Sequence, residues 1–397
     1  MNELSSKRLV VTVLTFTGFI AVTYGFGVYL FPALAPAMRV TLNFNFSDMG
    51  LVTGLSQAGF LLFALISGLL TSKFGAFNIM RFSMLVCLAA LVMLVSVESF
   101  WLTVVLLTLL GGSAASVWVP MAEVSQQILS RKHQGRALGL MSSGTAYGVF
   151  VNSIVIGAVF EDHGWRMVWA ISAVIVAALC IYSFVLMHNL QRQNTQKQET
   201  IEQVQTSVWS IIRSLPKGAT LVILVMMFFN GISCLPFQTY LSSVLVDEHG
   251  YSLSTSATSW QIIGLVGMAS GFSMGWVGDR IGLRWALVVV YIALILATSI
   301  LLMGNVSFAS LVIMSVAFGI AFYAIFGLVP AYISQNFRGP AASIVFAAGN
   351  IALGAGGIIG NSLGGVLRQT AGSFDSIYIL ILVAAIISTL LCPMMRK

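Results

Sequence analysis

Very few side chains in this sequence could take part in proton transfer within an apolar segment. Glu123 is the only acidic residue inside such a segment, and an ionisable group at membrane depth is a functional candidate by default. Burial favours its protonated form, so Glu123 could couple the movement of a solute to a proton gradient. Glu123 also lies between Pro120 and the pair Arg131 and Lys132. The alternative role for Glu123 is therefore an ion pair at the water-exposed end of its helix.

The other reactive residue types do not indicate enzyme chemistry. The four histidines are widely spaced in or beside loops, and neither HExxH nor GxSxG occurs in the sequence. The four cysteines fall in apolar stretches without CxxC or Cys/His spacing, which argues against a disulfide framework or a metal site. We therefore expect no catalytic residue, no metal and no cofactor. The four histidines are His133, His163, His188 and His249, and the four cysteines are Cys87, Cys180, Cys234 and Cys392.

The composition indicates that the chain consists mainly of membrane-spanning helices. Of the 397 residues, 58% are hydrophobic and only 8% are charged, whereas a soluble domain carries about 25% charged residues. A helix needs about 20 apolar residues to cross a bilayer, so the breaks at charges and turn residues predict twelve spans and an all-α membrane protein. The predicted spans are 9–34, 48–71, 82–97, 101–125, 137–160, 165–187, 218–243, 255–277, 285–303, 308–333, 341–366 and 375–394.

The distribution of charge predicts the orientation of these spans. If the N-terminus is cytoplasmic, all but three of the 19 Lys and Arg residues lie in cytoplasmic segments, the exceptions being Arg39, Arg166 and Arg368. The net charge of +7 therefore reflects membrane topology, and we expect no nucleic acid partner. An even number of spans puts both termini on the cytoplasmic side of the inner membrane.

A polar stretch divides the chain into two halves. Residues 189–217 are rich in Gln and charge, a composition that cannot bury a core, and we expect a cytoplasmic linker there. Six spans precede this linker and six follow it. The sequence therefore predicts two pseudo-symmetric six-helix bundles, at 1–188 and 218–397.

A direct repeat supports this division. Two segments match each other at an offset of 207 residues, and both end in a glycine-containing turn. Ser47 and Ser254 begin the two copies, and we expect each to cap the N-terminus of the helix that follows. The matched pairs are Gly68 with Gly275, Lys73 with Arg280, and Gly75 with Gly282.

The second copy looks like the signature loop of the major facilitator superfamily. It reads Gly275-Trp276-Val277-Gly278-Asp279-Arg280-Ile281-Gly282-Leu283-Arg284, and the first copy, 68–75, is similar with Ser72 in place of the acid. The segments Gly135-Arg136-Ala137-Leu138-Gly139 and Gly164-Trp165-Arg166 also resemble that superfamily. The resemblance covers the whole chain and implies a twelve-helix secondary transporter that works by alternating access.

The resemblance further implies a cytoplasmic latch between the halves. The Asp279 carboxylate would accept hydrogen bonds from the N-terminus of the fifth span near Arg136, where the helix dipole favours negative charge. The alternative is that the loop serves as a topology signal with glycines for tight packing. The predicted latch residues are Gly275, Asp279, Arg280, Gly282, Arg284, Lys73 and Gly75.

In the superfamily the first, fourth, seventh and tenth spans line the cavity, and we take the expected substrate contacts mainly from them. Asn230, Cys234 and Gln238 share one face of the seventh span, which Gly231 and Pro236 loosen near mid-membrane. The alternative role for such residues is interhelical hydrogen bonding or packing at the membrane interface. The predicted contacts are Tyr24, Tyr29, Trp118, Asn230, Gln238, Tyr323, Phe326 and, from the eleventh span, Asn350.

The substrate class stays open between two alternatives. The segment Tyr24-Gly25-x-Gly27-Val28-Tyr29-Leu30-Phe31-Pro32 and the Pro120-containing fourth span resemble oxalate/formate and monocarboxylate-like transporters, which implies a small organic solute of that kind. No cation lies deep in the eighth or eleventh span to bind a carboxylate. This absence fits instead a proton-driven exporter of apolar or cationic compounds. In either case we expect a monomer in the lipid bilayer with a small-molecule substrate.

Overall fold

The computed structural model describes residues 6–128, 139–194, 213, 215–337 and 339–395. Within these ranges almost every residue is helical, and none lies in a β-strand. Eleven helices of the described ranges are long and apolar enough to cross a membrane. The protein is therefore an all-α, multi-pass membrane protein.

One of those helices contains two spans. It is Gly144–Asn194, but Gly164 within it has φ 72° and ψ −179°, a conformation that interrupts the helix. The parts before and after Gly164 are separate spans, so the described ranges contain twelve spans, which we number α1–α12. The bounds are α1 (Ser6–Ile20, Ala21–Tyr29 and Leu30–Leu42), α2 Phe46–Phe74, α3 Ala76–Val95, α4 Phe100–Ile128, α5 and α6 (the two parts of Gly144–Asn194), α7 Lys217–Asp247, α8 Leu253–Ile281, α9 Leu283–Leu301, α10 Phe308–Asn336, α11 Pro340–Ala371 and α12 Asp375–Leu391.

The helices α2 and α8 begin in the same way at equivalent positions of the repeat. Asn45 caps α2 and Ser252 caps α8, and each side chain accepts a hydrogen bond from a backbone amide of the first turn. Both caps lie two residues before the expected ones, so the prediction that Ser47 and Ser254 are the caps is wrong. The apolar residue after each cap already belongs to the first turn, which leaves Ser47 and Ser254 inside the helix.

The same two helices also end alike. Gly75 has φ 82° and ψ 144°, and Gly282 has φ 91° and ψ 144°. A residue with a Cβ atom would be strained in this left-handed region, which explains the glycine in both copies. In each case the amide donates to the carbonyl four residues earlier at 2.9 Å. The sequence repeat is thus preserved in three dimensions.

The helices have two common ends, which we name for reference. The linker end is where α6 stops and α7 begins, and the far end is where α1, α7 and α11 stop, at Leu42, Asp247 and Ala371. The first six helices contact the last six mainly through two pairs, α2 with α11 and α5 with α8. Side chains between these pairs are the ones that a change in the angle between the halves would uncover.

Candidate substrate cavity

The middle of α1 departs from regular α-helix. Ala21–Tyr29 forms a π-helix that contains two of the predicted substrate tyrosines. Such segments often mark functional sites, and their wider turns leave backbone groups to be paired from outside. Here the side-chain amide of Asn152 on α5 donates to the Gly25 carbonyl. A Cβ atom at position 25 would lie 2.5 Å from the Gly148 Cα, so glycine allows α1 and α5 to approach this closely.

Aromatic rings from both halves meet beside this segment. Tyr29 of α1 packs edge-on against Phe322 of α10, with the ring centroids 6.0 Å apart. The Phe322 ring also contacts Tyr323 at 4.9 Å and Phe326 at 5.2 Å. The Tyr29–Phe322 contact therefore joins the first half of the chain to the second in the middle of the molecule.

Two more rings extend this group within the first half. The Tyr24 ring lies 6.4 Å from Tyr29 and 5.9 Å from Phe60 of α2. The structure thereby brings together four of the eight predicted substrate contacts. We call the whole group the aromatic cluster; it consists of Tyr24, Tyr29, Phe60, Phe322, Tyr323 and Phe326.

Exposure within the aromatic cluster increases toward the linker end. Tyr29 and Tyr323 are 8% exposed and Phe322 is 2% exposed. Phe326 lies one turn nearer the linker end than Phe322 and is 43% exposed, and Tyr24 is half-buried. The cluster is therefore buried on its far-end side and more exposed on its linker-end side.

Close packing seals the cluster toward the far end. Tyr29, Asn152 and Trp260 line a narrow void between α1, α5 and α8. The indole N–H of Trp260 donates to the Ser242 hydroxyl at 2.9 Å, and the Ser256 hydroxyl donates to the same oxygen at 3.0 Å. These polar contacts fix the Trp260 ring in place above the aromatic cluster.

The polar face predicted on α7 has a different environment. Asn230 is completely buried, and its side-chain oxygen accepts a hydrogen bond from the Cys234 thiol at 3.2 Å. A Cβ atom on the adjacent Gly231 would collide with the Leu353 carbonyl oxygen of α11, so this part of α7 packs within the second half. Gln238, two turns further along, is 4% exposed.

The last two predicted contacts are half-buried. Trp118 of α4 packs against the hydrophobic core, and no ring contact among the described residues joins it to the aromatic cluster. Asn350 of α11 donates its side-chain amide to the Phe346 carbonyl of its own helix at 3.0 Å. Both contacts satisfy the side chains within the protein.

The proton-coupling residue lies at the edge of the described part. Glu123 belongs to α4, but its side chain is outside the described residues, and so is the whole of Arg136. The predicted role of Glu123 therefore stays a prediction.

The predicted latch residues all lie at the linker end. Asp279 is exposed and makes no hydrogen bond or ion pair with a residue of the described ranges. The Arg280 guanidinium lies 3.7 Å from the Trp276 ring centroid, and the Lys73 ammonium lies 5.4 Å from that of Phe74. Both cations thus contact aromatic rings of their own helices. The remaining latch residues at this end are Gly75, Gly275, Gly282 and Arg284.

At the far end, an ion pair joins the two halves. The Arg39 Nη2 atom of α1 donates to the Asp247 Oδ1 and Oδ2 atoms of α7 at 3.1 and 3.2 Å. Their side chains are 22% and 21% exposed, so water screens this pair only partly. The Phe46 ring of α2 also lies under the Arg368 guanidinium of α11, 4.6 Å from it.

The two serines that do not cap their helices also connect the halves at the far end. The Ser47 hydroxyl donates to the Gly365 carbonyl at 3.5 Å. Its repeat equivalent, the Ser254 hydroxyl, donates to the Glu161 carboxylate at 2.6 Å. Equivalent residues of the two copies therefore make equivalent contacts with the opposite half.

Glycines show how far this contact between the halves extends. A Cβ atom on Gly50 of α2 would lie 2.5 Å from the Asn361 carbonyl oxygen of α11, and one on Gly264 of α8 would lie 2.8 Å from the Phe150 amide of α5. Near the linker end, Cβ atoms on Gly68, Gly275 and their neighbours Gly139 and Gly271 would meet no described atom within 4 Å. Among the described residues, the halves are therefore packed together at the far end, and these linker-end glycines make no contact with the opposite half.

The sequence-based prediction missed the two phenylalanines that complete the aromatic cluster. Phe318, Phe322 and Phe326 recur every four residues on α10, a spacing that puts them on one face and could have indicated Phe322. Phe60 had no comparable signal, because α2 was not among the helices expected to line the cavity. Its position depends on how α2 packs beside α1.

A family model for the Major Facilitator Superfamily matches residues 16–361 of this chain. The hexuronate transporter of Bacillus subtilis (strain 168) is 22% identical over 87% of this chain and 85% of its own length. The cis,cis-muconate transport protein of Acinetobacter baylyi (strain ATCC 33305 / BD413 / ADP1) is 21% identical over 76% of this chain and 74% of its own.

A solved structure has the same fold. The crystal structure of a mutant of the nucleoside transporter NupG superposes with a TM-score of 0.75 over 97% of this chain and 100% of its own, at 13% identity. The family model covers most of the chain, and the solved transporter structure superposes over nearly all of it. The chain therefore belongs to the Major Facilitator Superfamily, and it is a membrane transporter rather than an enzyme.

Proposed function

We propose that this protein moves a small organic carboxylate across the bacterial inner membrane by alternating access. The observation that carries the proposal is the aromatic cluster, in which rings of α1 and α10 meet across the two halves at the closed end of a cavity. Hexuronate and muconate, named for two of the relatives, are both carboxylates. A transporter of this class fits the cluster because aromatic rings can pack against the carbon skeleton of such a solute.

Recognition of the carboxylate would use hydroxyl groups rather than a cation. The cluster contains three phenols, Tyr24, Tyr29 and Tyr323, and a phenol donates a hydrogen bond to a carboxylate oxygen. Such charge-assisted bonds are strong in a site from which water is excluded. We propose these tyrosines and Phe326 as the substrate contacts.

The topology follows from the charge distribution. We propose that the linker end is cytoplasmic, with both termini on that side and six-helix bundles at 1–188 and 218–397 joined by residues 189–217. Basic residues concentrate at cytoplasmic ends of spans, as they do in this sequence. With this orientation the structure is an inward-facing conformation.

Uptake into proteoliposomes tests the proposed substrate class. Hexuronate and cis,cis-muconate are offered to the wild type and to Tyr29→Phe and Tyr323→Phe, each of which removes one hydroxyl and keeps the ring. We expect KM to increase about tenfold in either variant, the value of one hydrogen bond to a charged group. Tyr182→Phe is the matched control, because Tyr182 is 53% exposed on the outer surface of α6. Absence of uptake of both carboxylates by the wild type would refute the proposed class.

Proton coupling through Glu123 has its own test. We propose that protonation of Glu123 accompanies transport, since it is the only acidic residue within the apolar part of a span. Glu123→Gln should abolish the dependence of uptake on a pH gradient and leave exchange of substrate for substrate intact. Full gradient-driven uptake by this variant would exclude the role.

A second candidate is a proton-driven exporter of apolar or cationic compounds. It is favoured by the sequence, in which no Arg or Lys lies deep in the eighth or eleventh span, since aromatic rings can bind a cationic solute as well as an apolar one. Efflux of a cationic dye that depends on Glu123, together with no carboxylate transport, would establish this alternative.

A further inference from the structure

Two arginines from opposite halves converge on one ring at the far end. The Arg39 guanidinium carbon lies 4.3 Å from the Phe46 ring centroid, and that of Arg368 lies 4.6 Å from the same centroid. The two guanidinium carbons therefore cannot be farther apart than the sum of these distances. Arg39 belongs to α1 and Arg368 to α11, so this cationic pair bridges the two halves of the protein.

Each arginine has a carboxylate partner, but neither is fully satisfied. Arg39 binds Asp247 through its Nη2 atom, and the Arg368 Nε atom is 3.9 Å from the Glu248 carboxylate, beyond hydrogen-bond distance. The Glu248 oxygen instead accepts a hydrogen bond from the Phe374 amide at 2.6 Å. The Nε atoms of both arginines are buried and have no hydrogen-bond partner among the described residues. These two Nε atoms are too deeply buried for a ligand to reach, so the donors available to a ligand are the Nη atoms, and those of Arg368 make no hydrogen bond with a described residue.

A cavity lies directly beside the pair. Its volume is about 480 Å³, and its lining contains both arginines and no acidic residue. The other polar lining residues are amides, Asn43, Asn45 and Gln369, which can donate hydrogen bonds as well. The carboxylates that balance the arginines thus lie outside the cavity lining, and the cavity itself presents positive charge and hydrogen-bond donors.

We propose that this far-end cavity is a binding site for a small oxyanion, held between Arg39 and Arg368. Two guanidinium groups with free donors match the oxygens of a carboxylate or phosphate, which arginine binds in bidentate fashion. The site is separate from the aromatic cluster and does not depend on a carboxylate being the transported solute.

Binding there has a consequence for the conformation. An anion held by both arginines joins α1 to α11, and this bridge exists only while the far end is closed. A ligand that binds one of two conformations shifts the population toward it. The anion therefore stabilises the conformation with the far end closed and the linker end open.

Thermal unfolding of the purified full-length protein tests the site. Sodium acetate and inorganic phosphate are titrated separately at low millimolar concentration, with sodium chloride at matched ionic strength. We expect acetate, phosphate or both to raise the midpoint above that in chloride. Arg368→Gln and Arg39→Gln should each raise the half-saturating anion concentration about tenfold. Arg368→Lys keeps the positive charge but loses the planar guanidinium group. Its half-saturating anion concentration should fall between that of Arg368→Gln and that of the wild type.

Two control variants make the result decisive. Arg166→Gln removes an equal charge at the same end, where Arg166 donates to the Val97 carbonyl and does not line the cavity. Arg166→Gln should keep the response of the wild type. Tyr29→Phe alters the aromatic cluster instead, and it is the variant that would lose the response if the anion acted there. Three results would overturn the proposal. The anion does not raise the unfolding midpoint of the wild type, it raises that of Arg39→Gln and of Arg368→Gln as much as that of the wild type, or Arg166→Gln loses the response as fully as they do. Loss in Tyr29→Phe alone would assign the anion to the central cavity and overturn it too.

Discussion

The far end and the linker end differ in how the two halves meet, although the repeat makes the halves alike. At the far end α2 approaches α11 so closely that Gly50 has no room for a Cβ atom, and Arg39 pairs with Asp247 across the halves. At the linker end, Cβ atoms on the repeat-related Gly68 and Gly275 would meet no described atom within 4 Å. Because α2 and α8 are capped at equivalent positions and are both 29 residues long, the difference lies in the angle between the halves rather than in the length of these helices.

The comparison between the two ends also bears on the substrate site that we propose. The aromatic cluster sits at the boundary between the packed and the separated parts of the interface, with Phe322 buried and Phe326 exposed. A solute reaching the cluster comes from the linker end in this conformation. Closing the linker end and opening the far end would make the same rings accessible from the opposite side of the membrane. This exchange of access is what alternating access means.

The largest effect is expected from a wedge in the packed interface. Gly50→Val places a side chain where even a Cβ atom would be 2.5 Å from the Asn361 carbonyl oxygen. Overpacking of this kind costs about 3 kcal/mol, enough to reduce the population of the closed far end about a hundredfold. The reaction rate of a cysteine introduced at the far end with a water-soluble thiol reagent measures the change. Gly68→Val is the matched control and should leave the far end closed; equal rates in the two variants would contradict the packing difference.

Removing the ion pair should have a smaller effect in the same direction. Asp247→Asn leaves the Arg39 guanidinium without its carboxylate, at a cost of about 1–2 kcal/mol for a partly buried charge-assisted pair. The same thiol reaction at the far end should become about tenfold faster. The double exchange Arg39→Asp with Asp247→Arg should restore much of the closure. If the double variant is as open as the single one, the pair does not hold the halves together.

A loss of stability on acidification is expected from His249, which lies beyond the end of α7 in the second half. Burial lowers the pKa of His249 below its usual 6.5, more than Glu248, the Leu301 backbone and Asp375 raise it. The neutral form therefore stabilises the folded protein, and this contribution is present above about pH 6.5 and is lost as the pH falls through the lowered pKa. The midpoint of thermal unfolding should fall on acidification in the wild type. It should respond less in His249→Gln, and an identical pH profile in that variant would rule His249 out.

The smallest change in this conformation is expected at the signature loop. Asp279 is exposed and unpaired among the described residues, so Asp279→Asn removes nothing from the present conformation. If Asp279 latches onto a helix N-terminus when the linker end closes, the variant loses about 0.5–1 kcal/mol of that state only. Linker-end cysteines should then react up to a few-fold faster. Asp162→Asn, which changes an exposed acid at the far end, is the control. Equal reaction rates of the linker-end cysteines in the two variants would show that the loop has no latch function.

The sequence predicted the elements better than their contacts. Twelve spans, the repeat offset and the glycine turns at Gly75 and Gly282 follow from local rules about apolar length and backbone conformation. The caps were misplaced by two residues, because several polar residues precede each helix. The spacing of Asn45 and Asp48, which form a reciprocal capping box, is the local signal that the prediction missed. The π-helix of α1 has no sequence rule of its own and depends on the approach of α5 at Gly25 and on Asn152.

The site could be predicted only in part for a related reason. Tyr24, Tyr29, Tyr323 and Phe326 were found because rings beside glycines in cavity-lining helices are conspicuous. Asn230 shows the opposite case: its spacing with Gln238 gives a common helical face, but which neighbour covers that face depends on the rotation of α7. Helix rotation is a property of the whole bundle and is not encoded in any single span.

Distances between the halves, measured by electron–electron double resonance, test the central claim that the two ends open and close reciprocally. Spin labels are placed on exposed residues, at Val40 and Thr370 for the far end and at Asn78 and Ser334 for the linker end, since the four native cysteines are buried. In the wild type we expect a short far-end distance and a long linker-end distance. In Gly50→Val the far-end distance should lengthen while the linker-end distance shortens. A far end that opens with no change at the linker end would contradict the account.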